Sequence, residues 1–353
     1  FKIYIGMIAG VGKTYRMLQD AREMLRQGTD VQIGFVETHG RPDTVKALKG
    51  LPVIPRKRVF YKGKEIEEMD LDAILQVHPE IVIVDELAHT NVEGCRHAKR
   101  WQDVMELLEA GINVISAVNI QHIESLNDEV RKMVGVDVKE RIPDSVLREA
   151  DEVVNIDLTA EELVERLKAG KIYAKEKIQT ALDNFFNPGN ILQLRELALR
   201  EVAFRVGKKV DYEVKHREQG VKGVARLVVC VSSNNETQQH IIRKAARMAD
   251  TYNAELIALY VQTANEDNDS IPLDTQRHLM GHLQLVVELG GRVHKVVSDN
   301  IALTIADFCR EQQASVLCMG HPSLSMPRLL FRVGSYRKLL SELKEMSVDL
   351  IIV

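Results

Sequence analysis

Gly6-Met7-Ile8-Ala9-Gly10-Val11-Gly12-Lys13-Thr14 lies between the aliphatic run Ile3-Tyr4-Ile5 and a stretch, residues 14–26, with apolar residues at helical spacing. A strand, a glycine-rich turn and a helix in that order make an anion cradle. Backbone N–H groups must turn inward to meet phosphate oxygens, and side chains would obstruct them. The helix N-terminus adds its dipole, Lys13 supplies a point charge for the β- and γ-phosphates, and Thr14 offers a hydroxyl to Mg²⁺. The common phosphate-loop spacing puts four residues between its first glycine and Gly-Lys-Thr. Here Gly6 is five residues away and Met7 occupies the usual glycine position, which leaves the turn to Gly10. The competing reading is a glycine-rich turn carrying a chance Lys-Thr.

Ile81-Val82-Ile83-Val84-Asp85-Glu86 weighs against that alternative. It is a buried-strand pattern ending in two carboxylates, about 70 residues behind the turn, and it fits the acidic partner of a phosphate loop. Asp85 is then placed to hold Mg²⁺ beside Thr14, and Glu86 to orient a water toward the γ-phosphate. Further polar groups fall where strand ends converge: Glu37-Thr38-His39-Gly40-Arg41, His89-Thr90-Asn91, and Asn119 with His122. Glu37 or His39 is placed to position water, Arg41 to meet a phosphate, and Asn119 to sense the γ-phosphate; each fits a turn or helix cap equally well. Arg96, His97, Lys99 and Arg100 stand at a helix start, against its dipole. That stretch reads either as an anion-binding or lid segment or as a solvated turn.

Around this site the pattern alternates strand and helix, the mark of a parallel sheet. Strands are expected over 3–8, 31–37, 81–85, 113–118 and 153–157, and helices over 14–26, 71–77, 98–110 and 120–134. Thr159 with Glu162 reads as a capping box, and a helix over 191–205 follows the breaker Asn187-Pro188-Gly189-Asn190. Charged residues then crowd between glycines over 207–223, read as a linker. The alternation restarts with strands over 226–231, 255–261, 292–297, 315–319 and 349–353, and helices over 236–252, 273–289 and 301–312. The fold class is therefore α/β: a P-loop NTPase-like parallel-sheet domain over 1–206, then a smaller doubly wound domain over 224–353. A chain of 353 residues exceeds one hydrophobic core, consistent with that division. Lys plus Arg is 47 and Asp plus Glu is 51, so the formal charge of −4 leaves no global footprint for nucleic acid. Four scattered cysteines argue against a disulfide framework or thiolate metal site and fit a reducing cytoplasm. His278 and His282, one turn apart with no third ligand nearby, read as a solvated face. The bare strands at both ends suggest a segment of something longer.

Gly10-Val11-Gly12-Lys13-Thr14-Tyr15, Val36-Glu37-Thr38-His39-Gly40-Arg41, Val84-Asp85-Glu86-Leu87-Ala88-His89-Thr90-Asn91 and Val118-Asn119-Ile120-Gln121-His122 are landmarks of one family. Together they resemble the amino-terminal cytoplasmic domain of the KdpD family of potassium-responsive sensor histidine kinases, over roughly residues 1–210. That family's phosphate loop has the same displaced first glycine. The resemblance implies nucleotide contacts from Gly10, Val11, Gly12, Lys13, Thr14, Tyr15 and Asp85, with Mg²⁺ on Thr14 and Asp85. It also implies a regulatory ATP module rather than the phosphotransfer engine.

Residues 224–353 resemble the universal stress protein domain that follows in this family. Some members bind ATP there and others cyclic di-AMP. Ser232-Ser233-Asn234-Asn235 and Leu256-Ile257-Ala258-Leu259-Tyr260 match the cyclic di-AMP pattern in part, and Gly320 with Gly334-Ser335 matches the ATP pattern in part. Ser232 and Ser233 are the candidate contacts, and the glycine stretches a candidate anion nest; the alternative is a ligand-free regulatory or dimerisation domain. The transmembrane helices, phospho-accepting histidine and catalytic domain of a full sensor kinase are absent from the sequence. The expected role is thus a cytoplasmic ATP/Mg input module acting on a histidine kinase core and membrane domain, or on a partner protein. The rival is a free-standing P-loop small-molecule kinase or ATPase.

Overall fold

A computed structural model describes residues 1–173, 175–183, 186–218, 225–232, 238–252, 254–263, 272–320 and 326–353. The chain divides into two compact units, Phe1–Ile142 with Val146–Glu218, and Pro143–Ser145 with Gln219–Val353. In chain order the first holds β1 (Lys2–Gly6), α1 (Lys13–Arg26), β2 (Val31–Phe35), α2 (Pro42–Leu48), β3 (Lys57–Tyr61), β4 (Lys64–Glu68), α3 (Leu71–Val77) and β5 (Ile81–Val84). There follow α4 (Arg100–Glu109), β6 (Asn113–Asn119), α5 (Asn127–Val134), α6 (Asp144–Arg148), β7 (Glu152–Ile156), α7 (Ala160–Lys168), α8 (Lys175–Asp183) and α9 (Pro188–Glu218).

β2, β5, β6, β1 and β7 form one parallel sheet in that order. β1, β2, β5 and β6 are buried on both faces and the edge strand β7 is half-buried, so alternate residues feed two cores. Tyr4, Ile83 and Ala117 join Met17, Leu18 and Ala21 of α1 on one side. Ile3, Ile5, Val82, Val84 and Val118 meet Val104, Leu107 and Leu163 on the other. Met17, Leu18, Ala21, Met24 and Leu25 recur at helical spacing, which is why α1 lies along the sheet with that stripe inward. The chain leaves β1 toward β2 but leaves β6 toward β7, in the opposite direction. The crevice at the C-ends of β1 and β6 is thus the topological switch point, where open parallel sheets take ligands.

Two local expectations are corrected, and a hairpin stands beside them that the sequence reading does not include. The helix expected over 120–134 begins only at Asn127, after two short 3₁₀ turns. Ile123 is held extended by a bridge to Ile142, and the Ile142 N–H donates to the His122 carbonyl at 2.7 Å. Residues 57–68 form an antiparallel hairpin that no apolar alternation announces; Lys62 and Gly63 turn it with φ of 47° and 79°. The stretch 207–218, read as linker, continues α9, since its Lys, Glu and Arg are good helix formers and no proline interrupts them. Residues 219–223 lie outside the described residues. The Thr159–Glu162 capping box does open α7.

The second unit contains β8 (Arg226–Val231), α10 (Gln238–Tyr252), β9 (Glu255–Gln262), α11 (Leu273–Glu288), β10 (Arg292–Val297), α12 (Ile301–Glu311), β11 (Val316–Met319), α13 (Met326–Glu345) and β12 (Asp349–Ile352). Its parallel sheet runs β10-β9-β8-β11-β12. Leu227, Val229 and Leu256 pack with Ile241, Ile242, Leu285 and Val286 on one face. Val228, Ile257 and Leu317 pack with Ile305, Phe308, Leu339 and Leu343 on the other, giving a doubly wound domain. Among the described residues no helix is long and apolar enough to cross a membrane.

Candidate functional site

The glycines of the β1–α1 turn divide the work. Gly10 and Gly12 adopt φ of 91° and 105°, which other residues rarely tolerate. A Cβ on Gly10 would lie 2.4 Å from Ile172 Cδ1, so bare backbone is also needed for packing. Gly6 has an ordinary φ, and a Cβ there would press on Val11 at 2.6 Å. The Val11 side chain is core, so that residue has only its backbone to offer the crevice.

The first turn of α1 then presents Lys13 and Thr14. Lys13 Nζ donates to Asn119 Oδ1 at the end of β6, and to the Ile8 carbonyl at 3.4 Å. Burial pushes the Lys13 pKa down to about 8, opposed by the nearby Asp85 charge. Thr14 Oγ1 donates to Asp85 Oδ2 at 2.8 Å, and the Glu86 N–H donates to Asp85 Oδ1 at 2.9 Å. Burial nevertheless holds the Asp85 pKa above the usual carboxylate range. Hydroxyl and carboxylate oxygens are the donor set a small hard cation takes, so this corner fits Mg²⁺.

Glu86 follows with φ of 55°, and its carboxylate lies 3.5 Å from His39 Nε2. That contact lowers the Glu86 pKa and raises that of His39. Tyr15 is exposed at the rim. These groups line a cavity of about 650 Å³, whose wall also includes Arg41, His122, Arg166 and Lys171. The structure thus brings Gly10, Gly12, Lys13, Thr14, Tyr15, Asp85, Glu86 and Asn119 together. Arg166 and Lys171 went unnoticed in the sequence, since a basic residue ending a helix is commonplace.

The basic stretch before α4 is a partly exposed turn, and most of its charges are met by neighbouring carboxylates. Arg96 pairs with Asp72 and Glu106, and His97 Nδ1 lies 2.9 Å from Asp103. Lys99 Nζ donates to Thr90 at 2.6 Å. Arg100 is fully buried and donates to Glu68 Oε2 at 2.7 Å. Its guanidinium also lies over the Phe35 ring, 3.8 Å from the centroid.

Ser232 belongs to the second unit. Its backbone N–H and hydroxyl both donate to Gln238 Oε1, at 3.2 and 3.0 Å. Ser233, Asn234 and Asn235 lie outside the described residues. Gly334 and Ser335 fall inside α13, where helix bonding claims the N–H groups that a nest would need. His282 is buried, not solvated, and its Nδ1 meets the Ser232 carbonyl at 3.3 Å.

Residues 1–206 match KdpD, the osmosensitive K⁺ channel His kinase sensor domain. The chain belongs to the KdpD family. Residues 223–342 match the universal stress protein family. Sensor protein KdpD of Mycobacterium tuberculosis is 42% identical over 342 residues, 94% of this chain and 38% of that protein. The Escherichia coli sensor protein KdpD is 40% identical over 323 residues, 91% of this chain and 36% of that protein. A KdpD-type sensor protein of Synechocystis is 41% identical over 353 residues, 99% of this chain and 93% of that protein. The chain therefore spans well under half the length of the Mycobacterium and Escherichia relatives. Among solved structures, a universal stress protein from Archaeoglobus fulgidus aligns with 37% of this chain and 98% of its own, at 15% identity and a TM-score of 0.28. A complex of that organism's universal stress protein with dAMP aligns with 36% of this chain and 96% of its own, at 14% identity and a TM-score of 0.26.

Proposed function

We propose that the first unit binds Mg-ATP and acts as a cytoplasmic regulatory input for a KdpD-type sensor kinase, whose histidine kinase core reads its nucleotide state. The observation that carries this reading is the Thr14–Asp85 contact of 2.8 Å at the switch point, with Lys13 beside it bound to a neutral amide instead of a carboxylate. A phosphate chain fits between Lys13 and the turn's N–H groups, and displaces Asn119 from Lys13 as it enters. Thr14 and Asp85 would hold Mg²⁺, which neutralises phosphate charge. Glu86, paired with His39, is held ionised at the cavity wall, where it orients a water in any residual hydrolysis. In the second unit, the crevice between the C-ends of β8 and β11 is the proposed seat of a cyclic di-AMP- or ATP-type nucleotide, by the same topological rule.

Calorimetric titration of the full chain tests the first site. Lys13→Met is expected to abolish ATP binding, and Asp85→Asn to weaken Mg-ATP far more than metal-free ATP. Equal losses with and without metal would remove Asp85 from the metal corner. Phosphate release at roughly 1–100 s⁻¹ would replace the regulatory reading with that of an enzyme.

A further inference from the structure

Many arginines elsewhere in the first unit find acids: Arg56, Arg96, Arg100, Arg141, Arg195 and Arg200 pair with carboxylates, while Arg22 donates to the Ala47 and Lys49 carbonyls. Besides Lys13, three cations on the cavity wall have no ion pair among the described residues. Arg41 Nη2 donates to the Ile172 carbonyl at 3.3 Å, and its Nε is buried with no hydrogen-bond partner. Among the described residues Arg166 Nη1 reaches the Gly10 carbonyl alone, at 3.4 Å. Lys171 forms no ion pair among the described residues and is exposed at the wall.

The wall's carboxylates have nearer partners than these cations, although the charges of Asp85 and Glu86 are felt at Arg41. Asp85 holds Thr14, Glu86 faces His39, and Glu140 accepts the Thr90 N–H at 3.2 Å. Asp43 sits in the first turn of α2, where the helix dipole favours it. Arg41 is the N-cap of that same helix, a place where a cation is disfavoured unless an anion joins it.

The three cations come from separate elements but meet at one place. Arg166 Nη1 lies 3.6 Å from the point a Cβ on Gly12 would occupy, one residue before Lys13. Ile172 fills the space a Gly10 side chain would need, which pins the segment after α7 onto the glycine turn. The carbonyl of Ile172 in turn anchors Arg41. Lys13 and the turn's N–H groups offer a phosphate chain its first contacts, and these cations extend the positive wall beside them, where a further phosphate's charge is met.

We propose that Arg41, Arg166 and Lys171 are specificity-determining residues that read the terminal phosphate, so that the site takes a nucleoside triphosphate in preference to the diphosphate. This rests on the nucleotide reading above. The N-cap of α2 and the segment joining α7 to α8 change contacts when the terminal phosphate arrives, and that is the event a downstream partner can sense.

The test is calorimetric titration of the full chain with Mg-ATP and with Mg-ADP. Wild-type protein is expected to favour ATP. Arg41→Gln, Arg166→Gln and Lys171→Gln should each cut ATP affinity roughly ten-fold, the size of one charge-assisted hydrogen bond, and leave ADP affinity unchanged. Arg166→Lys should recover part of the preference, because it keeps the charge. Thermal melting checks that each variant is folded, and the exposed Lys171 gives a variant whose substitution disturbs no packing. Parallel loss of ATP and ADP binding, or an unchanged ratio in all three variants, overturns the terminal-phosphate reading alone. A wild-type protein that binds neither nucleotide overturns that reading and the proposed function together.

Discussion

Removing either partner of the buried Arg100–Glu68 pair should be the most damaging single change below the cavity. Arg100 is 0% exposed and Glu68 2%. The guanidinium donates to Glu68 at 2.7 Å, reaches the Asp85 carbonyl at 3.5 Å and covers the Phe35 ring. Glu68 also accepts the Val92 N–H at 3.1 Å and lies 3.0 Å from His89 Nε2. Glu68→Leu therefore leaves a buried cation uncompensated, and Arg100→Met leaves a buried carboxylate with two weaker partners. Each should cost about 3–5 kcal/mol, with Glu68→Leu at the upper end. The double variant removes both charges and leaves the Val92 N–H and His89 without an acceptor, a cost of about 1–3 kcal/mol. The double variant is thus expected to be at least as stable as Glu68→Leu alone. The chain has one tryptophan, and Trp101 stands next to Arg100 in α4. Its fluorescence in a urea titration reports unfolding of the first unit specifically, and the midpoint gives the stability change at constant slope. Single losses below about 1 kcal/mol, or a double-variant loss equal to the sum of the singles, would refute the account of a coupled buried pair.

Two further predictions concern conformation and protonation. Gly10→Ala places a side chain at φ of 91° and drives it against Ile172, so anion binding should be lost and Ile172→Ala should restore part of it; a Gly10→Ala protein that titrates normally with nucleotide would sink the assigned role of the turn. Burial keeps the His282 pKa below the ordinary 6.5, so the unfolded chain takes up a proton that the folded ring resists, and the second unit should lose stability as pH falls through about 6.5. Proton NMR of the ring should place its midpoint below that value, and His282→Gln should flatten the acid limb of the melting curve.

The parallel sheets were readable because strands buried on both faces are uninterrupted aliphatic runs, such as Ile81-Val82-Ile83-Val84. Glycine spacing marked the turn, and the residue after each central strand marked Asp85 and the crevice. The hairpin over residues 57–68 was opaque for the opposite reason. Its strands, KRVFY and KEIEE, are mostly exposed and carry six charges within the second strand and its partner's first two positions, so no period of two in hydrophobicity appears. Ile123 was missed because its extended conformation comes from Ile142, nineteen residues away in a segment with no strand pattern of its own. His282 looked solvated beside His278, yet α11 turns it inward to the Ser232 carbonyl, a partner fifty residues back.

The charged residues divide along the same line. In the sequence, Arg96 to Arg100 was the conspicuous basic cluster, and Arg166 and Lys171 were ordinary helix-end cations. Folding reverses their standing. Within the cluster, Arg96, His97 and Arg100 meet Asp72, Glu106, Asp103 and Glu68, drawn from α3, α4 and the hairpin, and Lys99 donates to the Thr90 hydroxyl. Arg166 is delivered to the glycine turn and Lys171 to the cavity wall, and neither forms an ion pair among the described residues. A cation's meaning depends on which carboxylates the topology brings within about 4 Å, and that distance is invisible until the chain is folded. Local density of charge is thus a poor guide to an anion site. A lone cation against a glycine-rich helix start is a better one, because the cation and the helix N-terminus then present positive potential side by side and one anion satisfies both.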